Sequence, residues 1–177
     1  KAQRCLRKSD LSTNLAESFQ DIRSQVQRMS DIIRQLLDFG KGSMQQRRWT
    51  NAAYLAESAV KTVRKETEGR VECYAEGPEP GPGMYVDPLR IEQALVNLLR
   101  NAAQLETCTR VRLTWGAVSN QKVVCFTVED DGPGIADDIQ PRLFEPFFST
   151  RKNVKNTGMG LSVVHGIVQE HGGRIQI

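Results

Sequence analysis

The stretch EQALVNLLRNAAQ, residues 92–104, decides how the fold of this chain is predicted. Its apolar residues recur at helical spacing, and with Asp87 as cap and Pro88 at the first position they predict a helix that ends near residue 104. Asn97 and Asn101 are four residues apart, so they lie one turn apart on the same face of that helix. Two amides on an otherwise apolar helix either form a buried hydrogen-bond network or face a ligand, and the helix alone leaves both alternatives open. An amide oxygen is a suitable ligand for Mg²⁺ that phosphates also bind.

A second motif follows at the end of a predicted strand, KVVCFTVED at residues 122–130. In the overlapping stretch EDDGPGIADD, residues 129–138, Asp130, Gly132 and Gly134 form the pattern D-x-G-x-G. A carboxylate at a strand end can accept a hydrogen bond from an exocyclic amine, and glycines let the backbone approach a flat ring closely. The alternative is an ordinary turn, because Asp-Gly-Pro-Gly is also a good turn sequence.

The next stretch, LFEPFFSTR at residues 143–151, places three phenylalanines in an irregular segment. These are Phe144, Phe147 and Phe148. They predict a loop that aromatic side chains pin to the core, an arrangement compatible with a hinged lid. Arg151 can meet a phosphate. Residues 149–158 lack apolar periodicity and contain several turn formers, so we expect them to form a mobile lid.

In NTGMGLSVVHG, residues 156–166, Gly158 and Gly160 precede a predicted last helix at about 161–171. The backbone N–H groups and the dipole at a helix start favour a phosphate. The P-loop pattern G-x-x-x-x-G-K-[ST] is absent from the sequence, and no dinucleotide-binding fingerprint follows a first strand.

Together, the asparagine helix, the D-x-G-x-G loop, the phenylalanine-rich stretch and the G-x-G helix start resemble the N, first-glycine, F and second-glycine boxes of sensor histidine kinases. They follow one another in this order within about 70 residues. The implied fold is the ATP-binding fold shared with Hsp90, gyrase and MutL. FEPFFSTR and GLSVVHGIVQEHGGRI look closest to the nitrogen-regulatory and PAS-linked branch of the family.

The resemblance implies a role for each matching residue, beginning with ATP and Mg²⁺ as cofactors. Asn101 is expected to coordinate Mg²⁺, and Asn97 to contact the phosphates or the metal shell. Asp130 is expected to bind the adenine amine, in a pocket shaped by Gly132 and Gly134.

The remaining ATP-site residues implied by the resemblance surround the phosphates and the lid. They are Ile135, Phe144, Phe148, Thr157, Gly158, Met159, Gly160 and Leu161. Gly158 and Gly160 are expected to cradle phosphates with Leu161 behind them, and Phe144, Phe147 and Phe148 to anchor the lid. The catalytic residues implied by the resemblance are Asn97, Asn101 and Arg151. For Arg151 only a positive charge near the lid is carried over, because the related branch more often has lysine there.

Asn97 also bears on the type of reaction. In the hydrolysing relatives, the residue one turn before the Mg²⁺ asparagine is typically a glutamate that activates water. An amide cannot act as a general base at neutral pH. The sequence therefore favours phosphoryl transfer over hydrolysis.

The N-terminal part carries a heptad seam that predicts a helix at about residues 14–39. The seam residues are Leu15, Phe19, Ile22, Val26, Met29, Ile33 and Leu36. An ordinary core helix is one alternative, but the wide apolar stripe favours a bundle or dimer helix. The helix looks like the second helix of the family's dimerisation domain. We therefore predict a partial dimerisation and phosphotransfer hairpin at residues 1–44 and a catalytic ATP-binding domain at 45–177, truncated at its C-terminal strand.

The other elements complete an α+β prediction: a two-layer α/β sandwich whose mixed sheet has helices on one face, preceded by a helical-bundle segment. The polar, basic stretch KGSMQQRRW at 41–49 is predicted to be an irregular break between the domains. The predicted elements are a helix at about 51–67, strands at 71–75 and 84–88, a hairpin of 111–118 with 122–130, and a strand beginning at 174.

Composition and charge exclude several classes of protein. The chain has 177 residues and a net charge of +3, and residues 51–177 are slightly acidic, so nucleic acid is a poor candidate partner. The four cysteines show no C-x-x-C spacing, which disfavours zinc and a disulfide framework. No signal-peptide pattern and no apolar run of about 18 residues occurs, so membrane contact is not encoded in this part of the protein.

Histidines are scarce, with only His165 and His171, and both are predicted to be structural. By family spacing, the acceptor histidine is expected upstream of Lys1. His171, at a helix C-terminus, is expected to suit the dipole as a cation. The expected partners are a response-regulator receiver domain and a second copy of the chain, in the cytoplasm.

Three functions remain open from the sequence. The first is the catalytic region of a sensor histidine kinase. The second is an ATPase of the same fold, which Asn97 argues against. The third is a module that only dimerises and scaffolds, which the intact glycine and asparagine motifs argue against.

Overall fold

The computed structural model describes residues 46–118, 122–150 and 158–177, together with Phe19, Ile22 and Val26. These three residues belong to the predicted heptad seam, and each is helical and exposed. The rest of the predicted helix at 14–39 lies outside the described residues. None of the helices in the described part has both the length and the apolar run that a membrane span needs.

Five strands and three helices follow one another in the described residues from 48 onward. They are β1 (Arg48–Asn51), α1 (Ala52–Thr67), β2 (Glu72–Glu76), β3 (Gly83–Val86), α2 (Pro88–Ala103), β4 (Arg110–Ala117), β5 (Val124–Asp130) and α3 (Gly160–Glu170). A short 3₁₀ turn at Gln140–Arg142 lies between β5 and α3. The predicted hairpin, both central helices and the last helix are confirmed to within a few residues.

The strands form two small sheets. β1 pairs with β3 in antiparallel orientation, while β4 lies between a parallel neighbour, β2, and an antiparallel neighbour, β5. In β4 the buried residues alternate as Val111, Leu113 and Trp115, the period expected of a strand with one face in the core. The predicted α+β class with a mixed sheet is confirmed.

The main core lies between this three-stranded sheet and helices α1 and α2. Leu55 of α1 and Leu99 of α2 are fully buried, and so is Leu113 of β4. Asn51 caps α1, because its side-chain oxygen accepts from the Ala53 N–H at 2.8 Å. The predicted apolar face of α1 is confirmed, because Ala52, Leu55, Ala59 and Val63 are all buried.

Two predictions about irregular and strand segments are wrong. Part of the predicted break at 41–49 belongs to β1, where Trp49 lies opposite Tyr85 of β3. This strand is short and polar, and it is stabilised by pairing with β3, more than 30 residues away, so no local sequence pattern predicts it. Residues 174–177 were expected to begin a strand, but they form no ladder with β5, and Ile175 instead packs beside α2 and α3.

Candidate functional site

A long cleft runs from Trp49 and β3 along α2 and β5 to the phenylalanine-rich stretch, the start of α3 and residues 171–177. Its volume is about 2260 Å³, which exceeds the roughly 300–1,000 Å³ of typical small-molecule pockets, so a nucleotide fills only part of it. Ten of the predicted site residues line its wall: Asn97, Asn101, Asp130, Gly134, Ile135, Phe144, Phe148, Gly158, Gly160 and Leu161. Four segments that are distant in sequence therefore converge on one cleft.

The two asparagines lie on the cleft face of α2, and both are half-buried. Asn101 lies directly beside the start of α3, because a Cβ built on Gly160 would be 3.6 Å from both terminal atoms of the Asn101 amide. The end of α2 and the N-terminus of α3 thus bring an amide and the positive end of a helix dipole to the same point. This is a suitable place for an anionic group and a hard cation.

Asp130 ends β5 with an exposed carboxylate at the cleft. Its Oδ1 accepts from the Gly132 N–H at 2.9 Å. A Cβ on Gly132 would be 2.6 Å from that oxygen and 2.7 Å from Leu105 Cδ1, so a side chain there would have to displace one or both of these groups. Gly132 itself does not line the cleft but permits the close approach of the loop to Leu105, a cleft residue that sequence reasoning did not identify.

Asp131, the next residue, holds the loop to the sheet and was also missed by the sequence analysis. Its Oδ1 accepts from the N–H groups of Thr109 and Arg110 at 2.9 and 3.1 Å, and its Oδ2 accepts from the Thr109 hydroxyl at 2.5 Å. These hydrogen bonds, the hydroxyl bond foremost, hold the pKa of the Asp131 carboxyl well below its usual range. Its partners lie about 20 residues upstream, so no local sequence signal could have shown the role.

The neighbouring thiol of Cys108 is buried, and burial raises its pKa, with the hydrogen bond and charge of Asp131 acting in the same direction. The thiol therefore stays neutral and is not a reactive nucleophile.

The phenylalanine-rich stretch is anchored by two of its three rings. Phe144 lies against His165 of α3 with ring centroids 5.2 Å apart, and the Arg142 guanidinium lies 4.4 Å from the centre of the Phe148 ring. Phe147 is 61% exposed and has a φ of 67°, so the prediction that all three rings anchor the segment is wrong for Phe147.

Gly158 packs against the backbone of this stretch. Its φ is +68°, and an added Cβ would lie 2.6 Å from the Phe147 carbonyl carbon and 2.8 Å from the Phe148 oxygen. Glycine is therefore required twice over, by conformation and by space. The contact fixes the start of α3 relative to the phenylalanine-rich stretch.

Met159 is buried beside the cleft rather than on its wall. Its carbonyl accepts from the Val163 N–H at 3.0 Å and from the Ser162 hydroxyl at 2.9 Å, which orders the first turn of α3. Arg151 and Thr157 lie outside the described residues, as does most of the predicted lid at 149–158.

The two histidines have structural contacts, but His171 is not the cation that we expected. Its Nε2 accepts from the Asp87 N–H at 3.1 Å, so that nitrogen carries no proton. Its Nδ1 lies 2.7 Å from the Ile167 carbonyl oxygen, which can only accept, so Nδ1 carries the proton. The ring is therefore neutral and bridges the start of α2 and the end of α3.

Comparison with known proteins agrees with this geometry. The model of the family described as histidine kinase-, DNA gyrase B-, and HSP90-like ATPase matches residues 86–177. The sensory histidine kinase/phosphatase NtrB of Klebsiella oxytoca is 35% identical over 69% of this chain and 37% of its own length. The sensor protein FixL of Bradyrhizobium diazoefficiens is 33% identical over 94% of this chain and 34% of its own length.

The chain thus spans about a third of the length of these curated relatives. Among solved structures, full-length ShkA in complex with AMPPNP is similar with a TM-score of 0.71 and 25% identity, over 82% of this chain and 31% of that chain. The catalytic domain of the histidine kinase ThkA has the same fold, with a TM-score of 0.62 and 23% identity over 71% of this chain and 81% of that chain.

Proposed function

The chain belongs to the histidine kinase-, DNA gyrase B- and HSP90-like ATPase family, as the ATP-binding catalytic region of a sensor histidine kinase, and we propose that it transfers the γ-phosphate of ATP to a histidine. The acceptor histidine lies on a dimerisation domain, of the same protein or of its partner in a dimer. The phosphoryl group then passes to an aspartate of a response regulator.

One observation carries the choice of transfer over hydrolysis. Asp130 is the only acidic residue among the described residues that line the cleft, and its Oδ1 is held by the Gly132 N–H. Asn97 occupies the position on α2 from which a carboxylate would activate water, and its amide cannot accept a proton at neutral pH. The described wall of the cleft therefore holds no second carboxylate to serve as a general base for water.

The cleft residues fit the two ends of ATP. The exposed Asp130 carboxylate can accept from the adenine amine, in a loop that Gly132 lets approach closely. Gly158 and Gly160 place the N-terminus of α3, with its N–H groups and positive dipole end, where the phosphates are expected. Thr157 and Arg151 are proposed to contribute a hydroxyl and a positive charge from the adjoining segment.

The residues beside the phosphates also fit Mg²⁺. The Asn101 amide faces the cleft next to Gly160, and Asn97 lies one turn earlier on the same face. We assign Asn101 as a ligand and Asn97 as a contact to the phosphates or to waters of the metal. Bound Mg²⁺ supplies charge neutralisation on the phosphate oxygens. The protein's own part is to orient the γ-phosphate, which is most of what phosphoryl transfer requires of an enzyme.

The wider assembly is proposed from the relatives. One solved structure with this fold is the histidine kinase ThkA in complex with the response regulator TrrA, with a TM-score of 0.67. We propose a receiver domain as partner, a homodimer through residues 1–44 as part of the helical hairpin, an ATP-binding domain at 45–177, and a cytoplasmic location for this region.

Nucleotide binding tests the proposed site directly. We expect the chain to bind AMPPNP with Mg²⁺ in a calorimeter, and Asp130→Asn to weaken binding by about tenfold or more, since a hydrogen bond to a charged group contributes about 1.5–3 kcal/mol. Asp138→Asn removes the same charge from an exposed position of the same loop and is the control, with wild-type affinity. Absence of binding by the wild-type chain would reject the function, and equal affinity of the Asp130 variant would reject the adenine contact.

A further inference from the structure

Helices α2 and α3 run antiparallel, and a polar cluster joins them at the end away from the proposed nucleotide site. At one end of the pair Asn101 lies beside Gly160. At the other end the start of α2 meets the end of α3. We call this second group the base cluster, which consists of Gln46, Arg47, Asp87, Arg90, Glu170 and His171.

Two direct links hold the helices together in the base cluster. Arg90 Nη2 donates to both carboxylate oxygens of Glu170 at 3.2 and 3.3 Å, and the Arg90 side chain is only 14% exposed. The neutral ring of His171 accepts from the Asp87 N–H at 3.1 Å. An ion pair that is partly shielded from water keeps more of its strength than a fully exposed one.

The chain that enters the ATP-binding region is tied to the same place. The Gln46 N–H donates to Asp87 Oδ2 at 3.2 Å, while Oδ1 of the same carboxylate caps α2. Arg47 Nη2 donates to the Glu170 carbonyl oxygen at 2.5 Å, at the end of α3. Residues 46 and 47 therefore contact both helices of the nucleotide site.

An apolar contact joins the same two helices between the base cluster and Asn101. Its buried residues are Ala94, Val163, Val164 and Ile167. Ile91, Leu98, Val168 and Ile175 pack against them and are only partly buried, so this contact and the polar links together set the angle between the helices. α3 has 11 residues and is about 16 Å long, so a tilt of about 10° at the base moves its start by about 3 Å. Such a shift is enough to separate Asn101 from Gly160 beyond a shared ligand.

We propose that the base cluster positions the nucleotide site: it helps to set the angle between α2 and α3, and through Gln46 and Arg47 it ties this angle to the first residues of the ATP-binding region. The proposal rests on the proposed function, because it assumes that ATP binds between Asn101 and the start of α3. It makes Arg47, which does not line the cleft, a positioning residue, and it gives the same role to His171, which lines the cleft at the opposite end of the helix pair from Asn101.

The test measures the affinity of the full chain for AMPPNP with Mg²⁺ at a temperature where circular dichroism shows every variant folded. We expect Arg47→Leu and His171→Phe each to weaken binding by about threefold to tenfold, the effect of losing one or two hydrogen bonds. The double variant should lose less affinity than the product of the two single effects, because both residues act through the same base cluster. His171→Gln keeps an acceptor near the position of Nε2 and should recover most of the affinity.

The matched control is Arg48→Leu, which removes the same charge from the neighbouring exposed residue of β1 and should bind within twofold of the wild type. Wild-type affinity in Arg47→Leu, or an equal loss in Arg48→Leu, would overturn the proposal while leaving the proposed function intact. If His171→Phe does not fold, Arg47→Leu decides alone, because its half-exposed side chain lies outside the core. A wild-type chain that binds no AMPPNP would instead reject the proposed function, and with it this inference.

Discussion

At the residue scale, the two adjacent aspartates of the D-x-G-x-G loop have different tasks. The Asp130 carboxylate is exposed at the cleft, whereas Asp131 does not line the cleft and its carboxylate is held by Thr109 and Arg110. The motif spacing identified Asp130 from sequence, because the pattern is local. It could not assign Asp131, whose partners become neighbours only when β4 and β5 pair.

The low pKa of Asp131 leads to a prediction about acid stability. Because folding lowers this pKa, the ionised carboxylate stabilises the folded state above the unfolded value of about 3.9, and this contribution is lost as pH falls below it. We expect Asp131→Asn to be less stable than wild type at pH 7 and to lose less further stability between about pH 5 and pH 2. Urea unfolding followed by circular dichroism across this range measures the difference.

The control for the acid-stability prediction is Asp138→Asn, which should keep the wild-type dependence on pH. Parallel curves for the wild type and the Asp131 variant would show that the carboxylate does not anchor the loop in its charged form.

At the element scale, the long periodic elements were predictable and the short or long-range ones were not. α1 and α2 each carry 16 residues, enough turns for an apolar face and a cap to identify them. β1 has four residues and depends on pairing with β3. The outward orientation of Phe147 could not be predicted either. Its backbone contacts Gly158, which lies beyond residues 149–157 in the sequence, and no local pattern marks that contact.

Comparing alanine substitutions at Gly158 and Gly69 separates the cost of a strained backbone conformation from the cost of a steric clash. Gly158→Ala meets both a positive φ and a clash with the Phe147 backbone, whereas Gly69→Ala meets a φ of +80° with nothing within 4 Å. We expect Gly69→Ala to cost about 1–2 kcal/mol from conformation alone, and Gly158→Ala to cost about 1–3 kcal/mol more from overpacking. Urea unfolding of the two variants measures these costs.

Only Gly158→Ala should also weaken AMPPNP binding, because only that glycine fixes the start of α3 at the cleft. Equal stability and equal affinity of the two variants would indicate that the contact between Gly158 and the phenylalanine-rich stretch is not tight.

At the scale of the whole molecule, the order of four motifs was more informative than any one of them. A paired asparagine, a D-x-G-x-G loop, a phenylalanine-rich stretch and a G-x-G helix start each have an ordinary structural explanation, yet the fold brings all four to one cleft. Sequence order predicted this convergence through family resemblance. The base cluster was not predictable, because Arg47, Asp87 and Glu170 lie far apart in sequence and have no motif of their own.

The central claim is that this region transfers the γ-phosphate of ATP to histidine and does not pass it to water. The most direct measurement follows γ-labelled ATP with Mg²⁺ and the chain, with and without a histidine-bearing helical hairpin supplied in trans. We predict label on the hairpin, in a linkage that acid releases and alkali does not, and phosphate release near background without the hairpin, because Asn97 cannot activate water. Steady phosphate release without the hairpin, with no label on it when it is present, would contradict the account.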